Sequence, residues 1–139
     1  MFKNILLGVD GSPHSMHAAQ ASGELARCSK ADLRIVVVFE PIPIYFNDSV
    51  LQEAISTRMV TAENVLKEAL NVIGEIPGQL KTEVLEGPAA EAILAAASVH
   101  NNDLIIMGSR GLGKLAGLLL GSQSQKVVQH ASCPVLIVR

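Results

Sequence analysis

A chain of 139 residues has the size of one domain and, once folded, hides roughly two thirds of its unfolded surface, so one core suffices. With 49% apolar and 17% charged residues it reads as a packed globule, and with 3% aromatics its core must be aliphatic. A formal charge of −2 without a polybasic run argues against nucleic acid or an anionic membrane surface as a partner.

Met1 to Asn4 leads into Ile5-Leu6-Leu7-Gly8-Val9, a run too short for the apolar part of a signal peptide and without a small-residue cleavage site. It predicts a first strand over about 3–9. Ser12 is placed to cap a first helix opened by Pro13, with Ala18, Ala21, Leu25 and Cys28 recurring at helical steps. A second strand follows over about 33–39, and Glu40 to Asn47, with Pro41 and Pro43, reads as an exposed loop. Leu51, Ile55, Ala62, Val65, Leu66, Ala69 and Ile73 mark a long second helix. Strands over about 80–85, 103–107 and 134–138 then alternate with helices over Ala89 to Val99 and about Ser122 to His130.

Such alternation predicts a single doubly wound α/β layer in which right-handed crossovers join parallel strands, spanning 1–139 as one domain. Nearly all-apolar strands fit burial between two helical layers. No stretch approaches the roughly 20 apolar residues of a membrane span. The two cysteines, Cys28 and Cys133, form neither a CxxC pair nor a zinc-spaced cluster, which suits a reducing, cytoplasmic setting. Cys28 reads as a core thiol in the stripe of its helix, and Cys133, before an expected buried strand, reads the same way.

Ligands of an open parallel sheet bind beyond the carboxyl ends of its strands. Asp10-Gly11-Ser12-Pro13 follows the first strand, and after the fourth comes GSRGLGKLAGLLLGSQS, with glycines at 108, 111, 113, 117 and 121. Glycine lets backbone N–H groups approach an anion, and the helix starting near Ser122 offers unsatisfied N–H groups and a positive dipole end. No Asp or Glu follows Asp103, whereas Arg110, Lys114, Lys126 and Arg139 do, so this end of the chain is positive. The pattern predicts a phosphate cradle. It is neither a P-loop, because Leu115 stands where a hydroxyl would hold magnesium, nor a dinucleotide fingerprint, because no acid lies about 20 residues on. Asp10 is a candidate ribose acceptor or neighbour of a phosphate-bound cation, with turn formation as its alternative role. His14 and His17 lack a third ligand and read as surface histidines. Gly117-Leu118-Leu119-Leu120-Gly121 is left open as a cap on a ligand, part of a dimer contact or a cover for the sheet end.

Taken together, VDGSxxS at 9–15, the GxxGx9GS spacing of Gly108, Gly111, Gly121 and Ser122, and the closing CPVLIV at 133–138 resemble the universal stress protein family along the whole chain. The resemblance is to its ATP-binding branch and implies a Rossmann-like, adenine nucleotide alpha hydrolase-like fold, with one five-stranded parallel sheet flanked by four helices. It implies that Gly8, Val9 and Asp10 form the ribose and base edge, and that the Val38 backbone meets adenine. Met107, Gly108, Arg110 and Gly111 form one phosphate wall, joined by Gly113 of the same loop, and Gly121, Ser122, Gln123 and Ser124 form the other. Gln123 departs from the small apolar residue often found there.

By the same resemblance the protein is an ATP-binding, or related adenine-nucleotide-binding, regulator of the stress response. Mg or Mn could accompany the phosphates near Asp10, and a homodimer would form through the last strand, Val135–Arg139. A weak ATPase needing a partner or metal is the alternative. With no acid after Asp103 and no assigned catalytic residue, hydrolysis is expected to be slow at most.

Overall fold

The computed structural model describes residues 1–42, 47–111 and 119–139. Pro43 of the expected loop and Gly113, Lys114 and Gly117 of the glycine-rich segment lie outside these residues. In chain order the elements are β1 (Asn4–Val9), α1 (Pro13–Ser29), β2 (Asp32–Phe39), α2 (Asp48–Ile73), β3 (Leu80–Glu86), α3 (Ala89–Val99), β4 (Leu104–Gly108), α4 (Ser122–His130) and β5 (Val135–Val138). The strands form one parallel sheet in the order β3-β2-β1-β4-β5. This is the expected five-stranded α/β layer with four helices.

The pleat sorts side chains between two apolar layers. Ile5, Leu7 and Val9 of β1, Leu33, Ile35 and Val37 of β2, and Leu104 and Ile106 of β4 pack with Met16 and Ala19 of α1 and Val65, Ala69 and Ile73 of α2. Leu6, Val36, Ile105 and Met107 point the other way, onto Ala90, Ile93, Ala96 and Ala97 of α3 and Val127 of α4. Each fully buried aliphatic side chain contributes about 1.5–3 kcal/mol, and Ile5, Leu6, Leu7, Ile35 and Val36 have no exposed surface.

The amino ends of β1 and β4 are fastened by polar groups. Lys3 and Asn4 donate backbone N–H bonds to the Asp103 carboxylate at 2.8 and 3.1 Å, and Asn4 Nδ2 donates to the His100 carbonyl at 2.7 Å. Asp103 therefore clamps β1 from just outside β4, which begins one residue later than the apolar pattern predicts.

β3, at one edge, is half exposed. Its sequence Leu-Lys-Thr-Glu-Val-Leu-Glu follows an edge pattern rather than the all-apolar pattern of the central strands. β5 forms the opposite edge.

Cys28 corrects a sequence expectation: it is exposed, not part of the core. The buried line of α1 runs through Ser15, Ala18, Ala19, Ser22, Gly23 and Ala26. Ser22 can lie there because its hydroxyl donates to the Ala18 carbonyl at 2.8 Å, so a pattern drawn from apolar residues alone is rotated toward solvent. Cys133 packs on the α3/α4 layer, and burial, followed by the negative charge of Asp103, pushes its thiol pKa up. With thiolate as the reactive form, a disulfide reagent should modify Cys28 at least about tenfold faster than Cys133 at pH 8. Comparable rates in the Cys28→Ser and Cys133→Ser variants would contradict the assignment.

Candidate functional site

The strand order changes direction between β1 and β4: the chain leaves β1 through α1 toward β2, while β4 and β5 extend the other half. At that switch point, beyond the carboxyl ends of the strands, lies a cavity of about 250 Å³. Its position follows from side-chain parity. Gly8, Val36 and Met107 all project toward the α3/α4 layer, and Gly8 contributes no side chain to fill the space. A carbon added at Gly8 would come within 3.1 Å of Ile93 Cδ1.

The cavity is lined by Gly8, Val9, Asp10, Val38, Met107, Gly108, Arg110, Gly111, Gly121, Ser122, Gln123 and Ser124, which are the expected site residues other than Gly113. Ser15, Val36, Ala89 and Ile93 line it as well and were not anticipated. Ser15 closes the VDGSxxS pattern, and Val36 lies two residues before Val38 on the same strand face, so both had a signal in the sequence. Ala89 and Ile93 arrive only through the packing of α3 on β1 and β2.

The floor is built by short polar contacts. Asp10 Oδ1 accepts the Ser12 N–H at 2.9 Å, forming the turn into α1. Ser12, 1% exposed, then caps α1 by accepting from the Ser15 N–H at 3.3 Å and donates toward the Arg110 carbonyl at 3.5 Å. On the far side, Ser124 Oγ donates to the Gly108 carbonyl at 2.9 Å, fixing the first turn of α4 against the end of β4. The Gly121 N–H donates to the Ser109 carbonyl at 2.7 Å, so the two glycine-bearing walls are hydrogen-bonded to each other.

The helix starts are treated differently. Ser12 caps α1 and Asn47 caps α2 through side-chain oxygens. α3 has Pro88 at its cap position, and its Ala90 N–H instead donates to Gln123 Oε1 at 2.9 Å. α4 opens on Gly121, which has no side chain to cap it, and its first intrahelical bond is from the Gln125 N–H to the Gly121 carbonyl at 3.0 Å. The N–H groups of Ser122, Gln123 and Ser124 therefore precede the helical ladder, and all three residues line the cavity. Such a helix start attracts anions through its free donors and its positive dipole end.

Three glycines differ in what they serve. A carbon at Gly108 would lie 2.8 Å from the His14 backbone carbon, and one at Gly111 would lie 2.6 Å from Asp10 Oδ2. At Gly121 the nearest atoms would be 3.6 Å away, an ordinary contact.

His14 is half-buried, while His17 is exposed and its Nδ1 lies 2.9 Å from the Arg139 carbonyl oxygen. Among the described residues no three His, Cys, Asp or Glu side chains gather as a metal site. Of the apolar segment before Gly121, Leu119 and Leu120 are described: Leu119 is 64% exposed and Leu120 half-buried.

The chain matches the model of the universal stress protein family over residues 1–139. It belongs to that family. A universal stress protein of Thermus aquaticus is 47% identical over 139 residues, with all of both chains covered. Among solved structures of the family, UspA from Lactobacillus plantarum superposes with a TM-score of 0.88 at 27% identity, covering 99% of this chain and 98% of that one. A universal stress protein solved in complex with cAMP has a TM-score of 0.74 at 23% identity, covering 99% of this chain and 96% of that one, a likeness of fold.

Because the carbon at Gly108 meets backbone, Gly108→Ala should lower unfolding free energy by about 1–3 kcal/mol, whereas Gly121→Ala should stay within about 0.5 kcal/mol of wild type. Urea denaturation without added nucleotide checks this, and equal losses in both variants would contradict it.

Proposed function

We propose that the cavity binds an adenine nucleotide, foremost ATP, and that nucleotide occupancy regulates this protein in a cytoplasmic stress response, as a homodimer formed through β5 and Arg139. The observation that carries the binding claim is the uncapped start of α4, where the Ser122, Gln123 and Ser124 N–H groups open on the cavity without a protein acceptor in the helix. An anion is the natural acceptor there.

The opposite side suits a nucleoside. Val36, Val38 and Ile93 give it an apolar lining, and Asp10 supplies a carboxylate at the end of β1. In this reading Asp10 takes the ribose and the Val38 backbone meets adenine, while Gly108, Arg110 and Gly111 face the phosphates with the start of α4. Gly121 fits the same assignment: neither its backbone at φ −67° nor its protein neighbours demand glycine, so its lack of a side chain is read as room for a ligand. Mg or Mn carried by the phosphates would neutralise part of their charge, with Asp10 as the nearby protein carboxylate. The neighbour of the same fold solved with cAMP is in keeping with this ligand class.

Protein denatured by heat should release an adenine nucleotide, or the nucleotide-free protein should bind ATP on titration. Neither release nor binding would sink the proposal. Gly121→Val should lose ATP affinity by about tenfold or more, because its branched side chain takes up the room beside the 109–111 wall. Unchanged affinity would contradict the assignment of that wall.

Slow hydrolysis is the second reading, and it is favoured by one observation: Asp10 is the carboxylate among the described lining residues. It expects ATP turnover that copurifies with the protein and disappears in Asp10→Ala. Turnover that persists in Asp10→Ala would remove Asp10 from the chemistry, and absence of turnover in wild type leaves binding as the activity.

A further inference from the structure

We propose, building on the nucleotide reading above, that Gln123 is a specificity-determining residue whose side-chain amide reads the phosphate tail and favours a triphosphate over the bare nucleoside. The residue occupies the second position of α4, within the uncapped turn, and lines the cavity. Its side chain also crosses to α3, where Oε1 accepts the Ala90 N–H at 2.9 Å.

That single bond settles the orientation of the carboxamide. A backbone N–H can only donate, so the oxygen must face Ala90 and the NH2 group becomes the other end of the plane. Among the described residues Gln123 Nε2 has no hydrogen-bond partner. Accepting a bond from the positive start of α3 also polarises the amide and strengthens its NH2 as a donor.

Two helix starts thus act through one side chain. α3 holds the oxygen, and the NH2 adds a directed donor to the Ser122, Gln123 and Ser124 backbone N–H groups. Donors concentrated there meet an anion rather than a base, because the apolar lining lies toward Val36 and Val38. A small apolar residue at position 123 would leave the backbone donors in place but would supply neither the brace to α3 nor the side-chain donor.

The test separates the brace from the donor. Gln123→Glu keeps an acceptor for the Ala90 N–H and removes the NH2, whereas Gln123→Met removes both at similar length. Dissociation constants for ATP and adenosine are measured by calorimetry for wild type and both variants, alongside thermal unfolding without ligand. The donor role requires that the preference for ATP over adenosine fall by about tenfold in both variants, the scale of one hydrogen bond to a charged group. Gln123→Glu should keep wild-type unfolding behaviour.

A preference retained in either variant overturns the proposal. Loss in Gln123→Glu alone would mark charge repulsion, and loss in Gln123→Met alone would mark the brace; each contradicts a donor role. Wild-type protein that binds neither ATP nor adenosine would instead overturn the nucleotide reading itself, and this inference with it.

Discussion

The pairing of β1 with β4 is the constraint on which the rest of the molecule depends. These strands are about a hundred residues apart in sequence, yet Ile5, Leu6 and Leu7 lie beside Leu104, Ile105 and Ile106 in register. Closing so long a loop is entropically costly, and where the strands begin Asp103 supports it by holding the Lys3 and Asn4 N–H groups. Where the strands finish, Gly8 and Gly108 carry no side chains and helix starts replace side-chain packing. The closed end supplies order, and the open end supplies the cavity.

Nothing about the cavity requires a special fold motif beyond this arrangement. Parallel strands put their carboxyl ends on one side, right-handed crossovers put helix amino ends above them, and the reversal of strand order separates two of those helices. The residues then distribute the work. Ser12 spends its oxygen on α1, Ser124 spends its proton on Gly108, and the α4 start retains its donors. Withholding a cap leaves backbone donors on the cavity wall, beside the guanidinium-bearing Arg110.

Much of this was legible in the sequence because apolar runs and glycine spacing report directly on buried strands and close backbone approach. The five strands lie within a residue or so of their expected bounds, and the spacing of Gly108, Gly111 and Gly121 marks the cavity wall. What escaped was information held between elements. Ala89 and Ile93 reach the site only because α3 packs over Gly8, a contact without local signature. Cys28 was misplaced because Ser22 and Gly23 carry part of the buried face of α1, and small or self-satisfied polar residues are invisible to a hydrophobic count. Gln123 registered as a departure from the family pattern, but its purpose depends on Ala90, more than thirty positions earlier.

Ser109 has a consequence that neither its burial nor its place beside the glycines suggests. Its N–H donates to the Val138 carbonyl at 2.7 Å, and its own carbonyl accepts the Gly121 N–H at 2.7 Å. One buried residue is therefore shared between the exposed sheet edge and the entrance to α4. A displacement of the edge strand and a displacement of the cavity wall strain the same backbone, so the two surfaces are mechanically contiguous. If each has an occupant, any influence of one upon the other must be returned in equal measure, because coupling free energy has no direction.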